Sequence, residues 1–293
     1  MAVANRCARL EQSRLLTGNM LLTKKCAFLV GCALTFVQLV RRKVKIKLGA
    51  NEKLCDLQCE GLFCIQSKDG YAFTTDAILL ANFIGDAKNK TLVEFCAGSG
   101  VISMLVNVKQ KPKIIYDVEI QERLSKMCAR SLAFNGITNI IPVAQPLEIF
   151  AENFTEKADI VYANPPYYKI GSGRLPEKEE VKQAKYELST NLDSIIKSAK
   201  KVLNSNGKIM LVYPTERERE VVLCLKANCF NVVRMQYVFP KKTKPSNIFL
   251  IEATFETVGE MDIMPDIIIN NEDGSETEQL KRIYNRNNEF SIL

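Results

Sequence analysis

Thr91-Leu92-Val93-Glu94-Phe95-Cys96-Ala97-Gly98-Ser99-Gly100 is the stretch on which the reading of this chain turns. A short apolar run closes in a glycine turn and Val101–Val108 follows with helical character, so the segment reads as strand, tight turn, helix. Downstream, Ile114–Val118 is a second buried strand, ended by Glu119 and followed by a helix through Gln121–Phe134 that stops at Asn135-Gly136. Ile140–Ala144 and Asp159–Ala163 read as third and fourth strands, the latter running straight into Asn164-Pro165-Pro166-Tyr167. Then come a helix at Leu192–Leu203, a strand at Lys208–Tyr213, a helix at Glu216–Lys226, and strands at Val232–Phe239 and Asn247–Phe255 joined by a basic loop. Strands alternating with helices predict an α/β, Rossmann-like, doubly wound and mostly parallel sheet. The last two strands, with no helix between them, predict an antiparallel hairpin at the C-terminal edge of that sheet.

The composition fits such a domain and excludes several chemistries. At 293 residues, 47% hydrophobic and 25% charged, the chain has the make-up of a globular protein rather than a disordered or multi-span membrane one. Its ten cysteines are spread too widely for a small disulfide scaffold and read as reduced thiols of a cytoplasmic protein. Cys55, Cys59 and Cys64 approach a metal spacing, but the chain has no histidine and no CxxC pair, so no metal is expected. The absence of histidine also removes serine-triad and Cys-His catalysis.

The formal charge of +7 is concentrated at one end. Residues 1–48 hold ten Lys and Arg against the single acid Glu11, whereas the other 245 residues hold 30 basic and 32 acidic side chains. The basic pI is therefore weak grounds for nucleic-acid binding by the body of the chain. Cys26–Val40 is apolar but short for a membrane span, and Arg41-Arg42-Lys43 follows it where a signal peptide would carry a cleavage site. Residues 1–48 are read as a basic and apolar N-terminal extension, upstream of a catalytic domain at 49–293, with no stable membrane association.

Two strand ends carry the chemistry. Gly98 and Gly100 allow a tight turn and close backbone approach to a ligand, and the following helix offers free N–H groups. Taken alone, GxG is also a common turn. Glu119 lies 19 residues after Gly100 at the next strand end, where a carboxylate can accept both ribose hydroxyls of a nucleoside cofactor. Met104 and Leu105 stand where a dinucleotide fingerprint would place its third glycine, which disfavours NAD. Glu94 is an acid suited to an ammonium group, or else an exposed carboxylate at a strand edge. S-adenosyl-L-methionine has both the ribose and the ammonium.

Asn164-Pro165-Pro166-Tyr167 is a rigid turn at the mouth of the sheet. An aromatic amine is a poor nucleophile because its lone pair is delocalised into the ring. Accepting both N–H hydrogens, with the Asn164 side-chain oxygen and the Pro165 carbonyl, favours a pyramidal nitrogen whose lone pair faces the sulfonium methyl. Pro165 and Pro166 fix the carbonyl direction, and Tyr167 offers a face on which a flipped base can stack. Because sulfonium makes a good leaving group, such a site needs no imidazole base.

These motifs, with Asp69 through Ala81, Asn164 through Gly173, Pro240-Lys241-Lys242, Asn271-Glu272-Asp273-Gly274 and Tyr284, resemble the bacterial tRNA(Val) adenine-37 N6-methyltransferase family. The resemblance runs from about Asn51 to Tyr284 and implies a class I methyltransferase that methylates an adenine beside the anticodon. It implies that Thr75, Asp76, Glu94, Gly98, Gly100 and Glu119 bind the cofactor, and that Asn164, Pro165, Pro166 and Tyr167 hold the adenine. Tyr168, Lys169, Arg174, Lys241, Lys242 and Lys244 are the candidate tRNA contacts of a monomer, and Gly171 and Gly173 would let their segment close over a substrate. Where class I enzymes often place a polar partner for the cofactor's adenine, this chain reads Gln145-Pro146-Leu147-Glu148, and that contact is left unassigned. Other readings are a protein glutamine N5-methyltransferase, a nucleotide-dependent oxidoreductase, and a non-catalytic RNA-binding protein that uses the basic arm.

Overall fold

A computed structural model describes residues 46–68, 74–168, 187, 190–255 and 261–284 of this chain. The extension proposed at 1–48, with its apolar stretch, falls almost wholly outside the described residues, and the compact unit they form begins at Ile46.

The described residues start with a hairpin of β1 (Glu52–Asp56) and β2 (Phe63–Ser67), followed by α1 (Thr75–Phe83). Then come β3 (Thr91–Phe95), α2 (Val101–Gln110), β4 (Ile114–Glu119), α3 (Glu122–Asn135), β5 (Ile140–Ala144), α4 (Leu147–Asn153) and β6 (Ala158–Ala163). The second half holds α5 (Leu192–Val202), β7 (Leu203–Pro214), a 3-10 turn at Thr215–Arg217, α6 (Glu218–Ala227), β8 (Asn231–Lys241) and β9 (Ile248–Thr254). Two short strands, β10 (Asp262–Ile263) and β11 (Ile267–Asn270), and α7 (Glu278–Ile283) complete it.

Among the described residues nine strands form one sheet, in the order β10-β8-β9-β7-β6-β3-β4-β5, with β11 also on β8. Strands β7, β6, β3, β4 and β5 run parallel, as the βα alternation predicts. Every residue of β3 is buried, because apolar clusters cover both faces of the sheet. On one face pack Leu79 and Leu80 of α1 and Met104 and Leu105 of α2; on the other, Phe150 of α4, Ile195 and Ile196 of α5 and Leu225 of α6. The β8–β9 hairpin is antiparallel as expected, and the later strands β10 and β11 lie along its outer strand.

α3 ends as its sequence requires. Gly136 takes a left-handed φ of 69° and its N–H bonds the Ala133 carbonyl, while the Ile137 N–H bonds that of Leu132. β7 begins five residues before the apolar run at Lys208, because Leu203 pairs with Ala158 ahead of a register shift. The β1–β2 hairpin, α1 and α4 were not read from sequence, since short segments packed by distant residues carry little periodicity of their own.

That hairpin is held by α3. The Asn135 side chain accepts from Phe63 N and donates to Phe63 O, Ser131 Oγ accepts from Ile65 N, and Arg130 grips Glu52 through both guanidinium nitrogens at 2.6 and 2.8 Å. Arg130 pulls the Glu52 carboxyl from its ordinary 4.5 down to about 2. A depressed acid stabilises the fold above its unfolded value and ceases to do so as pH falls through its folded one. Arg130→Ala is therefore expected to lower the urea midpoint at pH 7, with the gap to wild type narrowing between about pH 4.5 and 2.

Candidate functional site

Strands β3 and β6 are neighbours, and Phe95 and Ala163, their last residues, are register partners. The glycine turn and Asn164 thus leave adjacent parallel strands at the same level. On the other side of β3, Phe95 pairs with Val118, so Glu119 emerges beside the same turn. To one side of β3 the chain proceeds to β4, to the other to β6, which makes this the crevice where doubly wound sheets take ligands.

The crevice is a pocket with about 1040 Å³ of space between its walls, open mouth included. Glu94, Gly98, Glu119, Asn164 and Pro166 all line it. Glu119 shapes the glycine turn: one carboxylate oxygen accepts the Gly98 N–H at 2.8 Å and the other accepts that of Gln121 at 2.8 Å. Glu94 is not an exposed strand-edge carboxylate. It is 1% exposed, its Oε2 accepts from the Ser103 N–H and hydroxyl, and its Oε1 is buried without a partner. Apolar walls come from Val118, Ile120, Leu124 and Met127, and the hairpin contributes Gln66 and Ser67. Gln145, Pro146, Leu147 and Glu148 line the side beyond β5, where Ser194 Oγ donates to Glu148.

The pocket's charge has one sign. Glu94, Glu119 and Glu148 face it, and no Lys or Arg is among its described lining residues. Burial and these three carboxylates push the Cys96 thiol far up, so it is no thiolate nucleophile. A cationic ligand is favoured here, whereas a pyrophosphate would face carboxylates without a compensating cation.

Gly98 and Gly100 differ in what they do. A Cβ on Gly98 would meet open space, and its φ of 57° is left-handed. Gly100, at φ 77°, caps α2 below the pocket, where a Cβ would lie 2.4 Å from Cys128 Sγ and 2.9 Å from Asp117 Oδ2. Its need is for close packing. Thr75 and Asp76 are half-buried at the start of α1, whose Ala77 reaches the pocket lining. Burial raises the Asp76 carboxyl.

Pro165 is buried, and Tyr167 rests near Tyr168 and Tyr213, ring centroids 4.9 and 6.3 Å away. Arg217, unnoticed in the sequence, holds this segment: buried, it donates to the Tyr167 carbonyl at 2.7 Å and to Glu187 at 2.7 Å, while pairing with Glu220. Its guanidinium also lies over the Tyr213 ring. Thr190, also missed, places a buried hydroxyl without a partner in the pocket lining. Tyr168 is exposed beside the motif; Lys169, Gly171, Gly173 and Arg174 lie outside the described residues.

The loop after β8 reaches the same rim of the sheet, because β9 starts opposite Pro214 at the end of β7, and Thr215 bonds Asn247 and Ser246. Lys242 and Lys244 are exposed there, while Lys241 donates to the Glu272 carbonyl. Cys59 and Cys64 are buried and Cys55 half-buried. Among the described residues no His, Cys, Asp and Glu group could hold a metal ion, and no helix is long and apolar enough to cross a membrane.

Comparison with known proteins gives this geometry a context. The family described as methyltransferase small domain matches residues 58–239. The tRNA1(Val) (adenine(37)-N6)-methyltransferase of Yersinia enterocolitica is 24% identical over 159 residues, covering 53% of this chain and 62% of that protein. A Yersinia pestis protein of the same name is 24% identical over 144 residues, covering 48% and 57%. The chain thus spans about three fifths of the length of the curated relatives it matches. Among solved structures, a predicted O-methyltransferase from Agrobacterium tumefaciens superposes with a TM-score of 0.57 at 17% identity, covering 72% of this chain and 95% of that one. The M. jannaschii tRNA m1G37 methyltransferase gives 0.50 at 15%, covering 72% and 57%. At such identities the structures bear on the fold alone, a Rossmann-like α/β methyltransferase fold.

Gly100→Ala is expected to destabilise the domain by about 2–4 kcal/mol in urea unfolding, from left-handed strain plus overpacking against Cys128 and Asp117. Adding Cys128→Ala should restore part of that loss.

Proposed function

We propose, given that this chain belongs to the methyltransferase small domain family, that it transfers the methyl group of S-adenosyl-L-methionine to the N6 amine of an adenine in tRNA. The reading extends to position 37 of a valine tRNA, and to a domain at residues 49–293 working in the cytoplasm. The observation that carries it is that Glu94, Gly98, Glu119, Asn164 and Pro166 all line one pocket.

The residues present fit the cofactor. A buried carboxylate oxygen of Glu94 has no partner in the protein, as an ammonium site requires, and the acidic lining suits a cation. Glu119, already braced by two backbone N–H groups, is placed for ribose hydroxyls, and Gly98 leaves space above the turn. Ile120 and the run Gln145 to Glu148 would border the cofactor's base. When bound, S-adenosylmethionine supplies an electrophilic methyl on a sulfonium.

The chain's own part is positioning. Asn164 Oδ1 and the Pro165 carbonyl accept the two amine hydrogens, which turns the nitrogen lone pair out of conjugation. Arg217 fixes the Tyr167 carbonyl, so the clamp is held from behind as well as by its prolines. Tyr167 and Tyr168 provide aromatic faces at the mouth for an extruded base. Lys242 and Lys244, exposed on the same rim, suit phosphate contacts. The proton released by the amine passes to water, since no imidazole exists in the chain.

Asn164→Ala should lower methyl transfer to total tRNA by about a hundredfold or more while changing cofactor Kd less than about threefold. Glu119→Ala should raise that Kd roughly tenfold or more. Labelled-methyl transfer followed by identification of the modified nucleoside checks both: N6-methyladenosine is the expected product, and undiminished transfer by the Asn164 variant would refute the clamp.

A further inference from the structure

Beneath the glycine turn lies a buried polar cluster of which the proposed transfer uses Glu94 alone. Glu94 on β3 and Asp117 on β4 are register partners in neighbouring strands, each 1% exposed. Ser103 of α2 stands between them, its hydroxyl against Glu94 Oε2, against Asp117 Oδ1 and 2.6 Å from the Tyr162 hydroxyl of β6. From α3, Cys128 Sγ donates to Asp117 Oδ2.

Counting hydrogens decides the charge of this group. Three contacts link Ser103 to Tyr162 and to the two carboxyls, yet the two hydroxyls hold only one proton each. Ionised carboxylates can only accept. With both acids ionised, one contact would lack a hydrogen and two like charges would be buried side by side. Among the described residues no lysine or arginine faces either acid: the groups around them are Ser103, Tyr162, Cys128, and, toward the pocket, Cys96 and Glu119. A shared proton on the carboxyl pair removes both faults, donating from one acid to Ser103 Oγ while Ser103 donates to the other. Burial is the main cause raising both acids, with the Asp117 charge adding at Glu94.

We propose that Asp117 is a positioning residue that shares one proton with Glu94 through Ser103, and that uptake of a cationic ligand at the unpartnered Glu94 Oε1 expels this proton to solvent. The inference rests on the cofactor reading above. The exchange balances: the protonated pair loses one H⁺ to buffer and gains one ligand cation, so the buried charge stays the same. Since the bound state holds fewer protons, affinity rises with pH until the free pair is itself ionised, and is level above that.

Calorimetric titration of the full chain with S-adenosylmethionine in buffers of differing ionisation enthalpy reads the proton count directly. Wild type at pH 6.5 is expected to release close to about one proton per ligand bound. Asp117→Asn, whose amide supplies the missing hydrogen, should bind with release close to zero and with a flatter pH profile. Ser103→Ala, should the Asn variant fail to fold, is expected to show a changed release, because the bridge between the acids is gone. Infrared difference spectra of wild type should lose a protonated-carboxyl band on cofactor addition. Binding by wild type without proton release overturns the proposal and leaves the cofactor reading standing, as does equal release by wild type and Asp117→Asn. Absence of binding by folded wild type overturns both.

Discussion

The parallel pairing of β3 with β6 is the constraint on which the rest of this molecule depends. Because Phe95 and Ala163 pair as the last residues of their strands, the glycine turn and the Asn-Pro-Pro-Tyr segment must begin side by side. Parallel strands need helical crossovers, and the crossovers from β3 go one way to β4 while β6 lies on the other flank. The chain therefore opens above these two strands. Strand β3, buried throughout, and β6, buried at all but Asp159, leave no freedom to slip, since a shift of one residue would turn every side chain to the opposite face.

On that frame the polar groups are arranged in two levels. Above the sheet, Glu119 uses both oxygens to hold backbone N–H groups of the turn and of the next helix, so its position is set before any ligand arrives. Below, the buried Glu94 and Asp117 share Ser103, and Gly100 is the residue whose missing Cβ leaves room for Asp117 and Cys128. The motif's rear support is electrostatic as well. Arg217 ties the Tyr167 carbonyl to Glu187 and Glu220, joining three segments that are far apart in the chain.

The features legible in the sequence are those with a local cause. A parallel strand is a short apolar run, and Thr91–Cys96, Ile114–Val118 and Ile140–Ala144 were visible as such. Asn135-Gly136 marked a helix end because only a residue tolerant of positive φ closes that turn. The carboxyl-end acids and the proline motif were visible as residue types at strand ends. Less was legible where a short element is stabilised from outside: the β1–β2 hairpin depends on Asn135, Ser131 and Arg130 of a helix some seventy residues later.

What the sequence by itself determined is the alternation of strands and helices, the acids and glycines at strand ends, and a chemistry without imidazole, because each follows from residue type and spacing. What only the tertiary structure decided is the assignment of work within those motifs. Gly98 and Gly100 look alike in a string, yet one faces open space and the other a neighbouring helix and strand. Glu94 reads equally as a surface acid or a buried one, and the side chains of β4, α2 and β6 around it make it the latter. Arg217 and Asp117 carry no local signature at all, because burial and hydrogen-bond partnership depend on which distant segments the sheet order brings together.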